Sequence, residues 1–189
     1  MQESIVKPVA PHRLWNGHRD ETKAGAATPL RARSPLLKTG MAKIYSDRLE
    51  IATHGEFDVI DITDEVEKSV LNSGVTEGYA LIYSPHTTCA VLVNEKESGL
   101  LSDIKKTLQR LVPADEGYLH DDFEVRTENM HEDETKNAHS HLRQLLAGRT
   151  SEYIPVSEGN LLLGAWQRVM LVEFDSPRRR EALIQICGI

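Results

Sequence analysis

The chain has 189 residues, 40% hydrophobic and 27% charged, which suits one soluble globular domain with a sizeable core. No run approaches the roughly 18 apolar residues of a membrane helix, and the first residues lack the apolar centre of a secretory signal. The net charge of -7 is unevenly spread: residues 1–40 carry seven Lys and Arg against three acids, leaving the remainder strongly acidic and repellent to nucleic-acid phosphates. Cys89 and Cys187, far apart and each in an apolar run, read as reduced core residues of a cytoplasmic protein.

Residues 1–40 are rich in Pro, Gly and Ala and hold no sustained period, the pattern of a disordered extension. Strand-like alternation begins abruptly at Met41, so residues 41–189 are expected to form the folded domain. Residues 43–52 and 56–62 read as a hairpin around Gly55. A helix is predicted over 64–73, with Thr63 or Asp64 as its N-cap, Val66 and Val70 on one face and Gly74 as its stop. "GYALIYS" and "CAVLVN" are short apolar runs that suit buried strands. Residues 97–111 set Leu100, Leu101, Ile104, Leu108 and Leu111 on one helical stripe, ended by Pro113. Residues 113–136 form a long acidic loop, and loops of that length are disordered or functional. "NAHSHLRQLLAGR" reads as a short helix with Leu142, Leu145 and Leu146 facing the core. Three strands follow, with turns at 158–159 and 176–177. Strands in adjacent pairs predict an α+β fold, an antiparallel β-sandwich-like core with a few helices packed on it.

Six of the eight histidines fall after residue 41, four of them between 120 and 141. Imidazole is the commonest zinc ligand, and three histidines with an open position make a catalytic zinc site. In "HSH" the two rings, two residues apart on a helix, point about 200° away from each other. Either His139 precedes the helix or only one of the two is a ligand, and His141 is the better placed. In "YSPHTTCAVLVNE", Pro85 keeps Ser84 out of the helical region. His86, Thr87 and Thr88 therefore sit on an extended or turning segment, as a metal or phosphate site or as a turn whose hydroxyls cap nearby backbone groups. Asn94, Glu95 and Asp103 could bind a cation or orient a histidine, or Glu97 and Asp103 could simply favour the start of the second helix. "GAWQR" places Trp166 and Gln167 where two strands meet. Arg178, Arg179 and Arg180 suit phosphate, or a solvated turn or an interface ion pair. The chain has no Walker loop, dinucleotide fingerprint, C-x-x-C or nucleophile elbow.

Taken together, "SPHTTCAVLVNE", "YLHDD", "NAHSHLRQLLAG" and "EYIPVSEGNLLLGAWQRVMLVEFDSPRRR" resemble the YjbQ-like proteins, also called the secondary thiamine-phosphate synthase family. The resemblance covers about residues 43–189. It implies a β-sandwich with a few helices, a homotrimer, and a polar pocket holding a divalent metal ion, zinc or magnesium, on His86, His120 and His141. Glu95, Asp121 and Gln167 are then expected to be catalytic. Thr87, Thr88, Asn94, Trp166, Arg178, Arg179 and Arg180 are expected to bind a small phosphorylated substrate. The implied reaction joins a pyrimidine diphosphate to a thiazole phosphate, giving thiamine phosphate and pyrophosphate. A metal-dependent phosphate-ester hydrolase and a non-enzymatic trimeric metal- or anion-binding module are the alternatives.

Overall fold

The structure is a computed structural model and describes residues 37–189. The extension read over residues 1–40 therefore lies almost wholly outside the described residues. Eight strands and three α-helices follow: β1 (Lys43–Ala52), β2 (Val59–Asp61), α1 (Thr63–Ser73), β3 (Glu77–Tyr83), β4 (Cys89–Glu95), α2 (Ser98–Leu111), α3 (Ala138–Ala147), β5 (Ser151–Ser157), β6 (Asn160–Leu161), β7 (Gln167–Glu173) and β8 (Arg179–Gly188). A single 3-10 turn, Leu119–Asp121, precedes α3.

The strands make two antiparallel sheets, one ordered β1-β8-β3-β5-β6 and the other β2-β7-β4. They face each other across a core of Ala80, Ile82, Ile154, Val156, Ile184 and Ile186 from the first, and Cys89, Val91, Val169 and Leu171 from the second. Helix α1 closes one side of this core with Val66 and Val70, as its 3.6-residue spacing predicts. Its end is also as expected: Gly74 adopts φ 61° and its N–H returns to the Leu71 carbonyl. The N-cap position belongs to Ile62 and not to Thr63 or Asp64, because Asp61 accepts both the Thr63 N–H and hydroxyl.

The second sheet is buried on both faces. Val169 and Leu171 point into the central core, while Met170 and Val172 join Ala90, Phe174 and Leu108 of α2 in an outer one. That double burial is why "VMLV", Val169 to Val172, is continuously apolar and does not alternate. Close approach between β3 and β8 needs glycine at Gly78, where a Cβ would stand 2.0 Å from the Cys187 carbonyl oxygen.

Three expectations fail here. Strands β1 and β2 do not form a hairpin, since β1 pairs with β8 and β2 with β7. The alternation marked β1 over its span and overran β2, which is only Val59–Asp61, and it carries no information about either strand's partner. Helix α3 is also turned over: it buries Ala138, Ser140, Arg143 and Gln144 and leaves Leu142, Leu145 and Leu146 exposed. Arg143 explains the rotation, because its Nε donates to the Val112 carbonyl and its guanidinium pairs with Glu56. In α2 only Leu108 of the predicted stripe is buried, and Leu111 is exposed.

Leu171 is fully buried in the core between the two sheets. The variant Leu171→Ala is expected to lose about 2–5 kcal/mol of stability, measured as a lower urea midpoint with an unchanged slope.

Candidate functional site

One end of the sandwich is built on charge. Glu173, at the end of β7, is fully buried and meets Arg180 of β8 through two contacts of 2.5 and 2.6 Å. The Thr53 hydroxyl and the Asp175 N–H also donate to the Glu173 carboxylate. Arg180 spends its remaining reach on the Thr88 hydroxyl, 2.8 Å away. These groups are mutually satisfied, as buried ions must be. Arg180 and Thr88, expected to bind phosphate, are instead inside the structure holding each other. Arg178 pairs with Asp175 at 2.9 Å. Arg179 is exposed, as Arg178 is, but makes no ion pair among the described residues.

His86 has a definite anchor: its Nε2 accepts the Glu181 backbone N–H at 2.9 Å. Strand β3 leaves β8 at Tyr83, which pairs with Leu183. The imidazole then takes over as ladder acceptor for the next outward N–H. That bond requires an unprotonated Nε2, so the proton of the neutral ring sits on Nδ1. Burial and then the neighbouring Arg180 hold the His86 pKa below its ordinary 6.5. Thr87 points out and lines the adjoining cleft.

That cleft, about 720 Å³, lies between the acidic loop and α3, with His120, Arg126, His131, Glu134 and His141 among its walls. The rings of His120 and His141 meet edge to face with centroids 4.8 Å apart. His139, on the other side of the helix, approaches Glu56 at 4.0 Å, as the angular argument requires. Burial first, and then the His120 ring, lower the His141 pKa, so it is neutral at neutral pH.

The backbone around this pair is fixed by carboxylates. Asp121 Oδ1 accepts the N–H groups of Asn137 and Ala138, at 3.0 and 2.9 Å, and so caps α3 from the preceding turn. Asp121 therefore positions His120 and His141, and both of its observed bonds go to backbone. Asn137 Nδ2 donates to Asp175 at 2.9 Å, linking the cleft to the Arg178 pair. Burial alone would raise the Asp175 pKa, but the bonds from Asn137 and the Ser176 N–H, with Arg178 beside them, bring it below its usual value.

Arg126 organises the acidic loop. Its guanidinium donates to the carbonyls of His120, Glu128 and Asn129 and to the Glu134 carboxylate. The sequence offered one clue to it, an arginine in "FEVRTE" surrounded by acids.

The remaining expected residues are elsewhere. Asn94, Glu95, Trp166 and Gln167 lie at the opposite end of the β4–β7 pair, where Glu95 pairs with Gln167, while Cys89 pairs with Glu173 at the cleft end. Six residues of strand separate the two ends, about 20 Å. There Asn94 accepts the Glu95 N–H, Gln167 Oε1 accepts the Gly164 N–H, and Trp166 is 68% exposed. Within one chain these residues do not join the histidine cleft. Glu97 does what the helix-start reading expected, accepting the Gly99 and Leu100 N–H groups of α2.

Among the described residues no three His, Cys, Asp or Glu side chains converge to hold a metal ion. The donor set is the His120 and His141 pair, with His86 Nε2 committed to Glu181. Residues of one chain thus do not supply the three-imidazole site. The thiols are not engaged either: both cysteines are free, and burial pushes Cys89 up to about 12.

Two facing antiparallel sheets with a histidine-lined cleft at one end define an α+β class. The family model described as "UPF0047 protein YjbQ-like" matches residues 47–189, and the chain belongs to that family. It is 40% identical to a UPF0047 protein of Archaeoglobus fulgidus over 72% of this chain and 97% of that one. It is 36% identical to the UPF0047 protein YugU of Bacillus subtilis, over 74% of this chain and 97% of that one. A YbjQ-like protein of unknown function from Sulfolobus solfataricus superposes with a TM-score of 0.70 at 34% identity, covering 79% of this chain and all of that one. No helix among the described residues is long and apolar enough to cross a membrane.

The two depressed histidines tie stability to pH. His86 and His141 bind fewer protons folded than unfolded below their ordinary value of 6.5. Their contribution is therefore complete above that pH and is lost as pH falls through the lowered folded values. Urea midpoints should drop between about pH 7 and pH 5, and the drop should be smaller in His86→Gln, whose amide oxygen can still accept the Glu181 N–H.

Proposed function

We propose that the cleft binds a small phosphorylated substrate and that His120 and His141 carry protons for its conversion. The observation that supports this is the edge-to-face imidazole pair on the cleft wall, with His141 neutral at working pH. Glu134 already neutralises Arg126, so an incoming phosphate gains charge compensation best when one imidazole takes up a proton. Affinity for an anion should accordingly fall as pH rises from about 6 to 8.

The specific reaction proposed is the coupling of a pyrimidine diphosphate with a thiazole phosphate. The bond from the pyrimidine methylene carbon to the diphosphate oxygen breaks, and that carbon bonds the thiazole nitrogen. The imidazole that takes up a proton when the phosphate binds then gives it to the departing diphosphate, with Thr87 as a hydrogen-bond donor. A divalent metal is part of the resemblance, but no step is assigned to one, since a third ligand is missing from the single chain. Neutral His141 is equally suited to take a proton from water, which favours phosphate-ester hydrolysis as the second reading. The homotrimer is proposed alongside. Leu142, Leu145 and Leu146 form an apolar strip on α3 that a second copy would cover. A cytoplasmic location, with no nucleic-acid or membrane partner, completes the proposal.

Pyrophosphate release only when both substrates are present would support the coupling, and phosphate release from one ester would support hydrolysis. Turnover of neither, with or without added zinc or magnesium, overturns both and leaves a binding module. In the active case His141→Ala should cost about 10²–10⁴ in turnover, while Thr87→Ala should act mainly on KM. Separately, Leu145→Glu should shift the sedimentation of a trimer toward monomer. An unchanged sedimentation coefficient would remove α3 from the interface.

A further inference from the structure

A second cavity, of about 330 Å³, lies between α2 and the outward face of the β2-β7-β4 sheet. Its walls are mostly apolar, with Phe57, Val59, Leu92 and Phe174 among them, and Ser98 and Ser102 of α2 add two hydroxyls. It exists because two alanines, Ala90 on β4 and Ala147 at the end of α3, face it where larger side chains would fill the gap. Leu108 is the buried residue of α2, and Leu101 and Ile104, nearer its N-terminus, are only partly buried against the same cluster. Phe57 is fixed in the wall by its N–H bond to the Glu173 carbonyl, at a φ of 61°, and by edge contact with Phe174.

A slot with these walls has little to offer water, since an apolar cavity of even about 150 Å³ stays dry and takes up small apolar molecules. At roughly 30 Å³ per water-sized group, it holds a ligand of about ten heavy atoms. The charge at its mouth selects further. Lys105 lines the slot with its ammonium 5.5 Å from the Phe57 ring centroid, and no carboxylate pairs with it among the described residues. Glu97, the acid at the start of this helix, is occupied by the Gly99 and Leu100 N–H groups.

We propose that this slot binds a medium-chain monocarboxylate, its hydrocarbon between α2 and the sheet and its carboxylate on Lys105. The proposal does not depend on the histidine cleft.

The test is a methyl-detected NMR titration of the full chain with octanoate, octanol and octylammonium. Saturable shifts of Val59, Leu92, Leu101 and Ile104 are expected, with octanoate tighter than octanol by about tenfold for one charge-assisted contact and octylammonium weakest. Lys105→Gln, at an exposed position, should erase the gap between octanoate and octanol, and Ala147→Leu should weaken all three by narrowing the slot. Equal affinity for the three compounds overturns the proposal, as do shifts confined to the His120 and His141 region. Concentration-dependent shifts of α2 without ligand would give the slot to a second copy of the chain and would also overturn it.

Discussion

The buried pair of Glu173 and Arg180 is the constraint on which the rest of this end of the molecule depends. Glu173 ends a strand of the three-stranded sheet and Arg180 begins one of the five-stranded sheet, so the pair staples the two layers together. A charge with no exposure is tolerated only when its hydrogen-bonding positions are filled. Filling them draws in Thr53, the Asp175 backbone and Thr88. Thr88 in turn fixes the loop that carries His86. Asp175 reaches through Asn137 to the start of α3 and so to His141. Replacing one ion alone would strand the other, a loss of about 3–5 kcal/mol for buried pairs. It would disturb the cleft through bonded contacts and not through the long-range field.

Local order was legible in the sequence where one physical signal dominated. Alternation marked β1 over the span it occupies, and glycine marked the end of α1. Pairing was not legible, because a strand's apolar face says which side it buries but not which neighbour its backbone meets. The reversed α3 shows the same limit more sharply. Its leucines are ordinary core residues by composition, yet Arg143 makes better use of the interior through Val112 and Glu56. Hydrophobic periodicity cannot weigh one specific buried arginine against three leucines that an assembly can cover.

The candidate site divides along similar lines. Motif content pointed to His120 and His141, which do meet, and helix geometry correctly turned His139 away from them. The motif also pointed to His86, whose ring completes a backbone ladder, an acceptor role that no residue pattern announces. The question raised by "SPHTT" therefore has a divided answer: Thr87 faces the cleft, Thr88 faces the ion pair, and His86 joins the two by holding the loop to β8. Arg126 was the main omission. Its importance comes from the carbonyls it gathers, and those become neighbours only once the loop has closed around it.

The inverted helix and the divided motif residues have a common physical consequence. A helix that buries arginine, serine and glutamine while exposing leucines is poorly matched to a free monomer, since apolar strips of this kind are usually covered. A polar inward face is what a histidine cleft needs, and an apolar outward face is what an interface between copies needs, so one rotation of α3 serves both. Trp166, exposed about 20 Å along the β4–β7 pair from the cleft, is unexplained within a single chain. In the proposed trimer, cleft and interface would be coupled through one helix, whose rotation Arg143 sets and whose first turn Asp121 holds.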